Sequence, residues 1–573
     1  MFQIDRFEFN DCAAEEIEKV THWGVNVGKD WPVVYIINND KEAYVGETFH
    51  AKNRVEQHLA NPERRSLTEI RIMSDKDFNK SVALDLEAFL IKHMSADKKY
   101  VLQNRNDGLH DHKYYNKSEY EEGFKELWKK LRKEGVVQKS INEIENSELY
   151  KYSPYKSLGP EQLSVEARIL SIISEYADND KGATIVVSGG AGTGKTILGI
   201  YLMKIFADAP ENGSLQDIDE DFYLDDPIPL SVLQSHLPNY KKIGIVVPQK
   251  SLQASLQDVF KSISNLSPKM VLSPADVVKD YVKTHVKYDL LIVDEAHRLK
   301  CRDKGHLSNY RIFDDCNKAL GLDVMTGSEL DWLLECSRNQ VFFRDELQTV
   351  RPCDIDQNRF EHTISEKYRK PVFKDSLSTQ WRCLGGNDYI DYIRQIISCS
   401  DPEKKDIENY DLRLYLSCDQ MIEAIKAKNE EMGLCRVVAG YAWPWDRKRT
   451  ELKTIRIQGK DYRWNTTYQN WISTNAVDEI GCIHTVQGYD LNYCGVIIGE
   501  DIKYDPDKKQ IYADKSNYYD QQGKSGVAND PEGLKQYLCN IYLTLLTRGI
   551  RGTYVYVCNN ELREYMKQYF PVY

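Results

Sequence analysis

The chain has 573 residues, 41% hydrophobic and 29% charged, with 88 Asp and Glu against 76 Lys and Arg for a formal net charge of -12. That length exceeds the ~250 to 300 residues at which one hydrophobic core stops growing, so several compact units are expected. No apolar run approaches the ~20 residues of a membrane-spanning helix, so no membrane partner is expected. The acidic excess excludes a protein that coats nucleic acid with its whole surface and leaves room only for a localised basic channel. The 13 cysteines are scattered singly, which points to reduced thiols and away from disulfides or a structural zinc. The N-terminus, MFQIDRFEFNDCAAEE, is acidic where a secretory signal is basic and then apolar, so a cytoplasmic location is expected.

Residues 1–29 read as an N-terminal extension. Residues 33–37 (VVYII) and 43–45 (AYV), separated by Asn38-Asn39-Asp40-Lys41, predict a β-hairpin. Helices are predicted at 52–59 and 81–94. Phe124, Leu127, Trp128 and Leu131 recur at helical spacing, so 116–154 reads as a helical linker whose Lys129, Lys130, Arg132 and Lys133 form a solvated face. Other basic candidates are Lys98, Lys99, Arg105 and Lys113. Beyond the polar stretch around Pro154 and Gly159 the pattern changes. Short β-branched runs at 184–188, 243–247, 290–294 and 340–343 alternate with helical segments, as in a parallel sheet with crossover helices. A second series lies at 436–443, 480–483, 495–499 and 553–557. The expected architecture is α/β, with a small α+β domain at 30–115 followed by two parallel-sheet lobes at 155–355 and 356–573. Asp217 to Asp226 and Lys503 to Glu532 read as solvated insertions.

Gly189-Gly190-Ala191-Gly192-Thr193-Gly194-Lys195-Thr196 follows an apolar strand and precedes a helix, which is where a phosphate-binding loop must sit. Gly189, Gly192 and Gly194 let the backbone N–H groups form a nest for phosphate. Lys195 reaches the β- and γ-phosphates of ATP, and Thr196 offers a hydroxyl to Mg2+. About a hundred residues on, the buried run Leu290 to Val293 ends in Asp294-Glu295. Asp294 is expected to hold the Mg2+ and Glu295 to orient and deprotonate the attacking water.

Beyond these two motifs, most of residues 155–573 resembles the superfamily 1 helicases, specifically their Schlafen-like branch, with RecA-like lobes. The resemblance implies that Gln162 reads adenine and that Val247-Pro248-Gln249 touches the nucleic-acid backbone. It implies that Asp345 to Gln348 form a γ-phosphate sensor ending in Gln348, here with Arg344 where the family usually has Gly. His484 to Asp490, with Gln487 and Gly488, resembles motif V. Gln380-Trp381-Arg382 and Thr547-Arg548-Gly549 resemble motifs IV and VI, which implies that Arg382 and Arg548 act on the phosphates from the second lobe. Trp443 and Trp445 are candidates for stacking on bases, or for plain packing.

The N-terminal hairpin carries Val33-Val34-Tyr35, then Tyr44-Val45-Gly46, then Arg54 and His58 one helical turn apart. With Glu87 and Asn104 downstream, residues 30–115 resemble the GIY-YIG endonuclease family, with Val33 in place of the family's Gly. The resemblance implies Glu87 as the metal-binding carboxylate (Mg2+, with Mn2+ as an alternative) and Tyr35 as base for the attacking water. Arg54 is implied to neutralise the developing charge, Tyr44 and His58 to position water and leaving group, and Asn104 to close the site. The combined expectation is an ATP-driven helicase or translocase coupled to a nuclease. Its substrate is nucleic acid, DNA before RNA, in antiviral defence or genome maintenance. Alternatives are an ATP-switched nuclease that does not translocate, and an ATP-dependent sensor or scaffold with an inactive nuclease fold. The oligomeric state is left open.

Overall fold

The structure, a computed structural model, describes residues 2–104, 117–152, 158–177, 179, 181–208, 240–263, 265–302, 310–345, 354–445, 454–466, 471, 476–486, 489–524, 527 and 529–573. The chain divides into two compact units. One holds Met1–Gly159 with Ile200–Pro238 and Ser255–Lys269, the other Pro160–Gly199, Asn239–Ala254 and Met270–Tyr573. Asp217 to Asp226, Arg105 and Lys113 lie outside the described residues.

The first unit is built on a five-stranded sheet in the order β1-β4-β2-β3-β5. Its strands are β1 (Gln3–Glu8), β2 (Val33–Asn38), β3 (Glu42–Thr48), β4 (Glu69–Ser74) and β5 (Val101–Leu102). Every residue of β2 is buried, which suits its β-branched run to the centre of the sheet. The β2–β3 turn is closed by the Asn39 side chain, which accepts from the backbone N–H of Lys41 and Glu42, both at 2.7 Å. The antiparallel register sets Tyr35 opposite Gly46 and Ile37 opposite Tyr44. Helix α1 (Ala51–Ala60) follows, and α2 (Lys80–Asp97) starts at Asn79, whose side chain accepts from the Val82 N–H at 3.1 Å.

Two expected boundaries move in this unit. Residues 1–29 are no appendage: β1 pairs antiparallel with β4, and Ile17 and Val27 are buried with Tyr35 and Ile37 in one core. The segment 116–154 is not a free linker either. Its helix α3 (Lys117–Lys133) lays Phe124 and Trp128 against Phe89 of α2, at ring-centroid distances of 5.6 and 6.2 Å. The apolar stripe that predicted the helix needs a surface to bury it, and α2 supplies that surface.

The second unit holds two parallel sheets. The first runs β8-β7-β9-β10-β6-β11, from β6 (Thr184–Gly189), β7 (Ile243–Val246), β8 (Val271–Leu272), β9 (Tyr288–Val293), β10 (Ser337–Arg344) and β11 (Val372–Leu377). The second runs β12-β16-β15-β13-β14, from β12 (Asp411–Leu414), β13 (Cys435–Ala439), β14 (Gly481–Cys482), β15 (Leu491–Ile498) and β16 (Gly549–Val557). All pairings in both are parallel, so both lobes are α/β as expected. The boundary at 355/356 is corrected. β11 pairs with β6 in register from Val372 opposite Thr184 to Leu377 opposite Gly189, so the first lobe extends past 355. As an edge strand it has one polar, half-exposed side and shows no apolar run. The stretch Lys503 to Glu532 is also no plain loop. It contains most of an antiparallel hairpin, Ile502–Asp505 with Gln510–Ala513, and it buries Ile511 and Tyr518.

Candidate functional site

The phosphate loop joins β6 to α5 (Lys195–Asp208), and two of its glycines, Gly192 at φ +81° and Gly194 at φ +83°, adopt left-handed backbone. Both are also approached too closely for a side chain. A Cβ on Gly194 would lie 2.1 Å from Gln162 Nε2, and one on Gly192 would lie 1.9 Å from Gln380 Oε1. Gln162, at the start of α4 (Pro160–Glu175), donates Nε2 to the carbonyls of Thr193 at 3.2 Å and Gly194 at 3.4 Å. Lys195 Nζ donates to the carbonyls of Gly189 and Gly190, at 2.6 and 2.7 Å, and stands 4.0 Å from Asp345 Oδ2.

Asp294 follows β9 and is fully buried, and the Thr196 hydroxyl donates to its Oδ2 at 2.7 Å. Its Oδ1 is buried without a hydrogen-bond partner among the described residues, which is the donor position a cation needs. Thr196 and Asp294 thus fit a Mg2+ ion, and the ion with its nucleotide would supply charge neutralisation at the phosphates. Burial and the charge of Glu295 push the Asp294 carboxyl up. Burial also acts upward on Glu295, but His297, Arg298 and Lys195 outweigh it and hold that carboxyl down. Glu295 sits at φ +51° with Oε2 3.0 Å from His297 Nε2. His297 Nδ1 in turn accepts from the Asp345 N–H at 3.2 Å. This chain of contacts ties the acidic strand end to the sensor loop. Arg344, in the place of the family's Gly, is buried with its guanidinium 3.9 Å from the Phe360 ring centroid, so the strand end accommodates it.

From the other side, the Trp381 N–H donates to Gly192 O at 2.9 Å and Gln380 Nε2 donates to Ala191 O. Arg382 Nε lies 2.6 Å from Asp490 Oδ1. Arg548, between helix α6 (Pro531–Leu546) and β16, is buried. Burial and the Arg382 charge pull it down to about 10, so it remains cationic at neutral pH. Lys195, Thr196, Asp294, Glu295, Gln162, Arg382 and Arg548 are therefore gathered around one loop. Gln348, Gln487 and Gly488 lie outside the described residues. Gln380 and Asp490 belong to the stretches resembling motifs IV and V, which by themselves imply no role for either. Their roles emerge only from the contacts across the loop.

Of the two tryptophans, Trp445 donates its indole N–H to Asn465 O at 3.0 Å. Trp443 instead walls a cavity of about 340 Å³ with Arg456, Tyr519 and Tyr556 beyond the C-terminal ends of β13, β15 and β16.

In the N-terminal unit, Tyr35 OH lies 2.7 Å from His58 Nε2 and accepts from Arg54 Nε at 3.3 Å. The ring centroids of Tyr35, Tyr44 and His58 are 5.0 to 6.2 Å apart. Gly46 makes this possible, because a Cβ there would stand 2.3 Å from Tyr35 OH. Tyr35 is 1% exposed, and burial holds its phenol well above the ordinary range, with the charges of Tyr44 and Glu87 adding to the rise. Burial, with the charges of Arg64 and Arg54, pulls His58 down to about 2. A neutral imidazole beside a protonated phenol leaves Nε2 as the natural acceptor of the Tyr35 proton, since Arg54 has only donors to offer. Glu87 is carried by α2, half-buried. A lone carboxylate suits a metal completed by water, and no cluster of three or more His, Cys, Asp or Glu is found among the described residues. Asn104 donates to Val45 O at 2.7 Å and accepts from Val45 N at 3.0 Å, so it pins β3 rather than facing a substrate. Arg64, whose guanidinium lies 3.4 Å from the Tyr44 ring centroid, belongs to no sequence motif.

A phosphate loop on one parallel lobe, met by arginines from a second, makes the C-terminal unit a helicase-type ATPase. The model of the Schlafen group 3, DNA/RNA helicase domain matches residues 182–559, and the chain belongs to that family. The match starts beyond Gly159, so the N-terminal sheet lies outside it. The chain is also 28% identical over 450 residues to the uncharacterized protein YPL245W of Saccharomyces cerevisiae, covering 71% of this chain and 90% of that one. Among solved structures, it is similar to Bacteroides Pif1 bound to ssDNA (13% identity, 70% of this chain, 92% of that chain, TM-score 0.29). It is also similar to the Pif1 helicase of Candida albicans (12% identity, 72% and 99%, TM-score 0.28). The strand order and the family, not these distant likenesses, define the lobes.

Proposed function

We propose that this chain is an ATP-driven nucleic-acid motor joined to a metal-dependent endonuclease, acting on DNA before RNA in defence or genome maintenance in the cytoplasm. The observation that carries the nuclease part is the convergence of Tyr35, His58 and Arg54 on one phenol oxygen. In this reading Glu87 would hold the Mg2+ or Mn2+, which would supply the polarisation of the scissile phosphate. Tyr35 would be the base that meets the attacking water, its hydroxyl oriented by the neutral His58 Nε2 and by Arg54. Arg54 would offset the charge that develops on the phosphate, and Asn104 would keep β3 at the spacing that Tyr44 needs.

On the motor side, Lys195 would bind phosphate, Glu295 would orient water, and Arg382 and Arg548 would complete the site from the second lobe. Arg382 is held by Asp490, so bringing it onto a nucleotide requires that pair to open. Turnover would thereby depend on how the lobes close. The experiment is cleavage of single- and double-stranded DNA and RNA, with and without ATP and Mg2+. The reading expects DNA cleavage that needs metal and fails in Glu87→Ala, while ATP turnover fails in Lys195→Ala. Cell fractionation checks the cytoplasmic location.

A further inference from the structure

We propose that the cavity walled by Trp443, Tyr519 and Tyr556 takes up one base of the nucleic-acid strand. The strand is the one the motor reading supplies, and the proposal rests on that reading. All the walls belong to the second lobe, beyond the C-terminal ends of β13, β15 and β16, which are neighbours in the sheet. In α/β proteins the carboxyl end of a parallel sheet is where ligands bind, because the crossover loops diverge there and leave a crevice. The fuel nucleotide does not use this one. Arg548, of the nucleotide cleft, directly precedes β16, whereas Tyr556 lies near its far end, and at ~3.3 Å per residue of strand their backbones are roughly 25 Å apart.

Tyr556 is 3% exposed, yet its hydroxyl has no hydrogen-bond partner among the described residues and is not shut off from solvent. The same holds for the indole N–H of Trp443 and the hydroxyl of Tyr519, both half-buried. Trp445, by contrast, gives its N–H to Asn465 O. A polar group so deeply placed is left unpaired where something else completes it, and here three such groups border one cavity. Two of the walls are held in place: Trp443 meets the Trp464 ring edge-on at 6.0 Å, and the Tyr519 N–H donates to Tyr441 O at 2.9 Å. Aromatic faces with open hydrogen-bonding edges suit a flat heterocycle that carries its own donors and acceptors, which is a nucleobase. At about 340 Å³ the cavity lies at the small end of the ~300 to 1,000 Å³ of ligand pockets, so it takes a single base. Asp520, next to Tyr519, has Oδ2 2.6 Å from His484 Nε2, which ties this wall to the stretch resembling motif V. That link favours a base of the strand over a free nucleotide, since a wall that moves with the motor can take up and release successive bases.

The test uses the full chain as wild type, Trp443→Ala, Trp443→Phe and Tyr556→Phe. Affinities are measured in EDTA without ATP for a short single strand, DNA or RNA, and for the same strand built of abasic residues, which keeps every phosphate. Wild type should hold the base-bearing strand at least about ten-fold tighter than the abasic one. Trp443→Ala should bind the base-bearing strand about ten-fold more weakly and the abasic strand as before, with the slope of log affinity against log salt unchanged because no phosphate contact goes. Trp443→Phe should recover most of that loss, and Tyr556→Phe, which removes only a hydroxyl, should weaken the base-bearing strand about three-fold. If Trp443→Ala does not fold, the ratio of the two affinities in Trp443→Phe and Tyr556→Phe decides. A ratio equal to that of wild type in the variants, or equal weakening on both strands, would overturn the base site and leave the motor reading standing. A wild type that binds no strand in either form removes the motor reading and the base site together. Free nucleoside monophosphates separate the other source: tryptophan quenching by them that is lost in Trp443→Phe, with the strand ratio unchanged, would mean a free-nucleotide site and would overturn the assignment to the strand.

Discussion

The nucleotide cleft and the Tyr35 cluster solve opposite problems with similar economy. The cleft gathers charge: Lys195, Asp345, Asp294, Glu295, Arg382 and Arg548 offset one another within a few contacts, and Asp490 holds Arg382 at 2.6 Å. The Tyr35 cluster suppresses charge, with a protonated phenol and a histidine pulled down to about 2, and leaves its cations at the edges. Glycine serves both, but differently. In the cleft Gly192 and Gly194 supply left-handed backbone. In the cluster Gly46 supplies only empty space for a hydroxyl. A site built on charge is broken by removing a charge, whereas one built on close packing is broken by adding a methyl group.

The largest effect belongs to the cleft. Lys195→Ala should reduce ATP turnover to background, and Arg548→Ala should lower kcat by ~10³ or more, as expected of an arginine acting on transferring phosphate. A turnover assay checks both, and an Arg548→Ala enzyme with normal kcat would remove the second lobe from the chemistry. In the cluster, Tyr35→Phe keeps the ring and loses the hydroxyl. Cleavage should fall by ~10² to 10⁴ while ATP turnover stays at the wild-type rate.

Gly46→Ala should destabilise the N-terminal unit by ~1 to 3 kcal/mol, the usual cost of overpacking, and displace Tyr35 with it. Denaturant unfolding of the wild type and the variant measures this, and equal midpoints would show that the Tyr35 hydroxyl has room to move. A pH effect follows from His58. Its folded pKa lies below its ordinary value of 6.5, so the unfolded chain binds the extra proton first, and stability is lost as pH falls from about 6.5 towards 2. His58→Gln should flatten that dependence. Wild-type and variant melting curves with the same pH slope would mean that His58 is charged in the fold.

How much of this was legible in the sequence follows the same contrast. The phosphate loop is encoded by eight consecutive residues, so reading them is nearly reading the structure. Arg382 and Arg548 were reached only through the resemblance to a helicase family. Asp490 lies in the motif V stretch, but its pairing with Arg382, over a hundred residues away, has no local signal. In the N-terminal unit the hairpin was visible from its two apolar β-branched runs and the turn between them, and Arg54 and His58 through the resemblance to the GIY-YIG family. Gly46 could be understood only once the Tyr35 hydroxyl was seen lying across it. Arg64 belongs to no motif and owes its interest to Tyr44. The missed boundaries share one cause. β1, β11 and α3 each depend on a distant partner (β4, β6 and α2) for the surface that makes them stable, and such long-range pairing leaves little trace in the local pattern.

The most direct test measures ATP turnover and Mg2+-dependent DNA cleavage in the same preparations of wild type, Lys195→Ala and Glu87→Ala. The account predicts that Glu87→Ala loses cleavage and keeps ATP turnover, whereas Lys195→Ala loses turnover and changes the cleavage that ATP supports. Cleavage that survives in Glu87→Ala, or that is absent from wild type on every substrate, would contradict it.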